Sequence, residues 1–474
     1  MTQQNKEQGL CPGCLGAPLT RRQMLSLSAN GFGLTALSAL MAEDAYAGLV
    51  PTPPTHFEPK VKNVILCFMP GGVSQMDTFD PKPKLSELHG KPSGDGIRTY
   101  QGCHWTFRKY GKSGIPVSEL FPHIATCVDD LAIVRSMVSN FPLHPRGNIL
   151  FHTGRNVGGY PSLGSWITYA LGSENKNLPG YVLLHPEATS IPPGGLENFS
   201  NGFLPATHQA LPVKAEGTPI ENLVPADEGA IQNTKLSVLL DQDRDFLAEA
   251  GRNDAVESAI RNYEMAYRMQ SLVPDVLDLS RETEATKRLY GLDTSNKDQR
   301  NYALQCLRAR RLIESGVRFV EVTPPVLFGA TNGTWDQHTN LKKGHEGNAL
   351  VADQSVAALI KDLKSRGMLD ETLVIWGTEF GRTVDTGTNG DGRDHLETAF
   401  TIWMAGGGVK GGTVYGRTDD IGKTVVENKT TVHDLHATIL HLLGLDHERL
   451  VYRFGGRDES LTDVHGRVVH EILA

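Results

Sequence analysis

Apolar and polar residues alternate in blocks along this chain. Asn63-Val-Ile-Leu-Cys-Phe-Met69 is a continuous apolar run, stopped by Pro70-Gly71-Gly72, and such runs suit strands covered on both faces. Similar runs recur at Leu131-Ala-Ile-Val134, Val317-Arg-Phe-Val-Glu-Val322, Thr372-Leu-Val-Ile-Trp376 and Phe400-Thr-Ile-Trp-Met404. Helical spacing appears between and after them, from Val356 to Ser365 and from Val432 to Leu443. This alternation predicts a doubly wound α/β architecture, a mainly parallel sheet flanked by helices. The stretch from about Thr234 to Ser315 is different. It is rich in Glu, Arg, Ala and Leu and free of strand-like runs, which predicts a helical insertion packed over the sheet. Pro179 to Pro225, dense in Pro, Gly and Asn, predicts a long irregular loop region.

Composition narrows the class. The 474 residues are 39% hydrophobic and 21% charged, with 50 Gly and 26 Pro, a loop-rich globular mix that excludes disorder, coiled coil and collagen. Lys and Arg number 46 against 54 Asp and Glu, for a net charge of -8 with no basic run, so nucleic acid is not an expected partner. The 17 His are a generous supply of the commonest metal ligand.

The first fifty residues address the compartment. Arg21-Arg22 precedes a mild apolar stretch, Gly31 to Met41, that ends in Ala45-Tyr46-Ala47. This resembles a bacterial twin-arginine export signal over residues 1–47, which implies the twin-arginine translocase as a partner and a periplasmic or cell-surface location. The apolar stretch is short of the roughly 20 residues a span needs, and no other segment approaches that length. Residues 48–59, with Pro51, Pro53, Pro54 and Pro59, read as an extended linker, leaving 60–474 as the folded domain. Cys11-Pro-Gly-Cys14 would be lost with the signal. Cys67, Cys103, Cys127 and Cys306 have no motif spacing; Cys67 belongs to a core strand, and one disulfide among the others stays open.

Candidate chemistry follows the apolar runs, where ligands bind in open α/β sheets. After the first run comes Gly71-Gly72-Val-Ser-Gln-Met-Asp77-Thr-Phe-Asp80. After Val322 come Gly333-Thr334-Trp335-Asp336-Gln337-His338 and then His345. After Trp376 comes Thr378-Glu379-Phe380-Gly381-Arg382, followed by Asp391-Gly-Arg393-Asp394-His395. Carboxylates and imidazoles gathered from several strand ends are what a divalent metal site requires.

These motifs, with Asp434-Leu-His436-Ala-Thr-Ile-Leu-His and the twin-arginine leader, resemble the domain-of-unknown-function 1501 family, exported proteins abundant in planctomycetes and related bacteria. The resemblance runs from about Lys60 to the C-terminus. It implies the alkaline phosphatase and sulfatase superfamily, whose members are metal-dependent hydrolases or transferases of phosphate and sulfate esters. By that resemblance Asp77, Asp336, His338, Glu379, Asp394 and His395 are metal ligands for zinc, manganese or calcium. Phe380 falls where the superfamily has a ligating His, and His395 could return the missing imidazole. Asp336 and His338 are separated by one residue where three are usual. His144, in Leu143-His-Pro-Arg146, falls at the nucleophile position and could be a nucleophile, a general base or a metal ligand. No Cys lies there, which disfavours a formylglycine sulfatase.

The enzyme so implied acts on a small anionic ester or a sulfated or phosphorylated glycan. Two ions about 4 Å apart would clamp the ester oxygens, Arg146 or Arg382 would hold the remaining anionic oxygens, and the Gly71-Gly72 amides would approach the same anion. The alternative is a non-catalytic exported protein of this fold, a carbohydrate-binding or surface-assembly component. The two readings part on whether the six candidate ligands converge. Asp434 and His436 lie on a helix whose buried face is marked by Leu435, Ile439, Leu442 and Leu443, so packing or capping suits His436 at least as well.

Overall fold

The computed structural model describes residues 55–474, apart from 95, 187–190, 222, 225–226, 228, 251–253, 326–334 and 389. The arginine pair, Cys11, Cys14, most of the Pro-rich linker and Gly333-Thr334 lie outside the described residues. A nine-stranded sheet forms the centre. Its strands are β1 Asn63–Phe68, β2 Leu131–Val138, β3 Tyr181–His185, β4 Leu211–Lys214, β5 Phe319–Val322, β6 Thr372–Gly377, β7 Phe400–Gly406, β8 Thr413–Tyr415 and β9 Thr430–Thr431. They lie in the order β8-β2-β7-β6-β1-β5-β3-β4, with β9 also on β2. Every pairing is parallel except those of β7, which runs antiparallel to both β2 and β6. The five apolar runs of the sequence are β1, β2, β5, β6 and β7.

Every residue of β1 and β6 is buried because helices cover both faces. Alternation along β1 sends Ile65 and Cys67 into one core and Val64, Leu66 and Phe68 into the other. The first core holds the apolar sides of α6 (Lys297–Glu314) and α7 (Leu341–Ser365), and the second those of α1 (His144–Thr153), α2 (Leu163–Leu171) and α8 (Val432–Leu442). Helix α8 starts on a capping box in which Thr431 and Asp434 each satisfy the other's backbone N–H. That is the role of Asp434 in the Asp-Leu-His motif.

Two strands sit inside the region that reads as irregular loop. β3 is five fully buried residues between Pro- and Gly-rich flanks. β4 carries Pro212, which a sheet tolerates only at an edge, and β4 pairs with β3 alone. Between residues 229 and 314 the chain is helical but not uniform. α3 (Gly229–Ala250) buries none of its described side chains, α4 (Asp254–Leu277) buries Met269, Val273, Val276 and Leu277, α5 (Glu284–Tyr290) buries Tyr290, and α6 inserts Tyr302, Ala303, Cys306 and Leu307 against the sheet. The four described cysteines are unpaired. Among the described residues no helix is long and apolar enough to cross a membrane.

Candidate metal centre

The antiparallel strand explains why distant residues meet. Parallel strands end at one edge of the sheet, and β7 begins there because it runs the other way. A segment preceding β7 therefore reaches the same place as segments following β2, β5 and β6. The backbone ties the two kinds together: Ser139, just past β2, donates to Glu397, just before β7, at 2.8 Å.

His144 from the first turn of α1, Asp336 and His338 from the segment before α7, and His395 before β7 converge at this edge. Asp336 Oδ1 lies 3.2 Å from His144 Nε2, 3.0 Å from His338 Nε2 and 3.3 Å from His395 Nε2. The Nε2 atoms of His338 and His395 are 3.0 Å apart. Each ring is held by its other nitrogen. Nδ1 of His144 meets Glu379 Oε1 at 2.6 Å, Nδ1 of His338 meets Asp394 Oδ1 at 2.9 Å, and Nδ1 of His395 donates to the Pro142 carbonyl at 2.5 Å. With only acceptors at Nδ1, a neutral ring carries its proton there and turns the Nε2 lone pair inward. An acceptor behind each ring is the arrangement that orients metal-ligating histidines. His144 Nε2 is buried without a well-formed hydrogen bond, so a cation would satisfy it. One donor set of this kind exists among the described residues, with the atoms of His144, Asp336 and His395 all within 4.8 Å of one another. Two imidazole nitrogens and a carboxylate oxygen fit a divalent ion, and His338 stands beside them with its Nε2 3.0 Å from both Asp336 Oδ1 and His395 Nε2.

The electrostatics agree with the geometry. Burial works to raise the pKa of Asp336, but the three neighbouring histidines and the charge of Arg382 outweigh it and hold the carboxyl far below the usual range. Burial likewise opposes ionisation of Glu379, and His144 more than compensates. In the metal-free protein burial lowers His395, whereas the bond to Asp336 raises His338. The rings of His338 and His395 are 27% and 17% exposed, so the cluster opens to solvent on their side.

Glu379 and Asp394 therefore stand behind histidines rather than inside the cluster. Gly71 makes room for this: its φ is 112°, a Cβ would sit 2.6 Å from Trp335 N, and its N–H donates to Glu379 Oε1 at 2.9 Å. That amide is thus engaged by Glu379 and is not turned to a substrate anion. Asp77 is elsewhere, fully buried in an ion pair with Arg393 at 2.8 Å, and Asp80 pairs with Lys82 at 3.0 Å. Arg382 is fully buried too. It bonds Asp336 Oδ1 at 2.6 Å and the carbonyls of Gly71, Gly72 and Arg393, so it acts as an internal counter-charge rather than an anion clamp. Arg146 is exposed on the first turn of α1, 6.0 Å from the Phe141 ring. His436 is packed in the second core, bonded to the Phe151 carbonyl at 2.8 Å, and burial pushes its pKa down to about 3.

Two participants have no sequence signal. The Pro142 carbonyl acts through its backbone alone. Phe380 packs against both His144 and His395, with ring centroids at 4.8 and 4.7 Å, while those two rings meet edge-on at 4.3 Å, so the residue that cannot bind metal instead buttresses two imidazoles.

Known proteins set this geometry in context. No curated protein sequence matches the chain. Among solved structures the chain is similar to the phosphonate monoester hydrolase of Silicibacter pomeroyi, at 12% identity over 87% of this chain and 76% of that one, with a TM-score of 0.39. It is also similar to a protein in the alkaline phosphatase superfamily from Vibrio parahaemolyticus (10% identity, 84% and 70% covered, TM-score 0.35). A third is a sulfatase from a Pseudoalteromonas species (14%, 86% and 70%, TM-score 0.35). The family model described as protein of unknown function (DUF1501) matches residues 61–473, the whole of the sheet and every residue of the histidine cluster, and the chain belongs to that family.

Proposed function

We propose that this protein is a metal-dependent hydrolase of phosphate or sulfate esters, built around a single divalent ion held by His144, His338, His395 and Asp336. The observation that carries the proposal is the convergence of three Nε2 atoms on one carboxylate oxygen, each ring anchored from behind by an acceptor. The donor set favours zinc or manganese over calcium, which takes six to eight oxygen ligands. When bound, such an ion polarises an ester oxygen and acidifies water at neutral pH. The chain's own part is to hold the rings. Glu379, Asp394 and the Pro142 carbonyl fix the proton at Nδ1, Phe380 packs against both His144 and His395, and Arg382 balances the charge of Asp336. With Asp77 engaged by Arg393, the described residues supply donors for one ion rather than two.

Elemental analysis of purified protein should find one zinc or manganese per chain, and aryl phosphate or aryl sulfate hydrolysis should vanish on chelation and return with the metal. Metal present without hydrolysis of any ester would favour the non-catalytic binding protein instead.

Export through the twin-arginine route is part of the same proposal and rests on Arg21-Arg22 and the cleavage-like Ala45-Tyr-Ala47. Replacing both arginines by Lys should leave precursor in the cytoplasm; normal export of that variant would remove this part of the reading.

A further inference from the structure

The charges fixed around the cluster point to one class of ester. Three carboxylates, Asp336, Glu379 and Asp394, touch the histidines. Two guanidinium groups stand against them: Arg382 on Asp336 at 2.6 Å and Arg98 on Asp394 at 3.1 Å. The sum is one negative charge, which a divalent ion converts to one positive charge. That is an upper value, since Arg98 is shared with Asp385 at 3.5 Å. The next guanidinium inward, Arg393, is neutralised by Asp77. Arg146 is in solvent, where ions screen it.

We infer that the centre selects an ester bearing a single negative charge, a sulfate monoester or a diester of phosphate, over the dianion of a phosphate monoester. The inference rests on the hydrolase reading and narrows its substrate. A singly charged group leaves the loaded site near neutrality. A doubly charged group, which a phosphate monoester is above its second pKa of about 6, leaves an excess negative charge next to Asp336 and Glu379, both wholly buried. Uncompensated charge in such surroundings is strongly disfavoured.

The test is binding, followed by turnover. Zinc-loaded protein at pH 7.5 is titrated by calorimetry with phenyl sulfate, methyl phenyl phosphate and phenyl phosphate, and the p-nitrophenyl esters of the same three classes are assayed. Both singly charged probes should bind about tenfold or more tighter than phenyl phosphate, and kcat/KM should follow the same order. Asp385→Asn lies outside the ligand set and returns the charge of Arg98 to the site. It should keep the metal and narrow the gap by about threefold or more. Equal or tighter binding of phenyl phosphate by the unmodified protein overturns the selectivity and leaves the hydrolase reading standing. An unchanged ratio in Asp385→Asn overturns the charge argument. Binding of none of the three by fully loaded protein overturns the hydrolase reading itself.

Discussion

Buried histidines in three settings show what would separate a metal ligand from a piece of core in this protein. His144 and His152 lie two turns apart on α1, and both meet buried carboxylates. At His144 the acceptor Glu379 sits behind Nδ1, and Nε2 points to a place shared with two other rings. At His152 both nitrogens are engaged: Nδ1 with the Asn148 carbonyl at 2.6 Å and Nε2 with Glu321 at 2.8 Å. Tyr181 donates to the other oxygen of Glu321 at 3.1 Å. His152 is thus a closed ion pair; burial works to lower its pKa, but the charge and hydrogen bond of Glu321 together with the Asn148 carbonyl outweigh it and raise it. His345 and His436 are a third case, buried rings with one or both nitrogens unbonded and pKa values pushed down to about 3 by desolvation. Burial alone does not mark a metal ligand. What sets the proposed ligand His144 apart is that its second nitrogen faces a carboxylate and another imidazole.

The largest effect expected from breaking this contrast is at the cluster. Asp336→Ala and His395→Ala should each abolish stoichiometric metal, measured by elemental analysis after gel filtration; full metal content in both would refute the centre. Next is Glu321→Ala, which strands a charged His152 in the second core. It should cost about 3–5 kcal/mol in denaturant unfolding while metal content stays at the unmodified level, and loss of metal with stability intact would reverse the assignment of the two histidines.

Smaller effects sharpen the picture. Asp394→Ala removes the acceptor behind His338 and should weaken metal affinity by about 10–100-fold without abolishing it; no change in affinity would show that His338 needs no anchor. The smallest effect concerns acid. His436 titrates near 3 in the fold and 6.5 when unfolded, so above pH 6.5 it favours neither state. Below that the unfolded chain binds the proton and the fold does not, and stability falls by about 1.4 kcal/mol per pH unit. Between pH 7.5 and 5.0, metal-free protein should lose about 2 kcal/mol through His436. His436→Gln should abolish that share of the loss, and equal acid sensitivity in the variant would exclude the mechanism.

The sequence carries the sheet more clearly than the site. Runs such as Asn63 to Met69 are long enough to mark strands buried on both faces, whereas β3 and β4 are short and masked by the prolines and glycines around them. Asp336, His338 and His395 are legible because each follows or precedes an apolar run at the chemical edge of the sheet. What is not legible is which carboxylates stand inside the cluster and which stand behind its rings. Glu379 acts on His144 across 235 positions, and Asp77 is claimed by Arg393 across 316. Such pairings depend on how loops return to the sheet, and no local spacing encodes them. The direction of β7 belongs to the same class, since its run of apolar residues looks like that of any parallel strand.

The spread of the cluster along the chain makes an ion there a cross-link. A metal that joins Asp336 to His395 closes a loop of 59 positions, and one that also holds His144 closes a far longer one. Each closure removes freedom from the unfolded chain, and an ion that binds only the assembled fold adds stability by mass action, about 4 kcal/mol at a thousandfold excess over its dissociation constant. Because the donors come from both sides of the antiparallel strand, the clasp can form only after β7 has docked. Uptake of the proposed ion would therefore report the docking of β7, and a chelator present during refolding should change the stability of the final state but not the rate at which the sheet assembles.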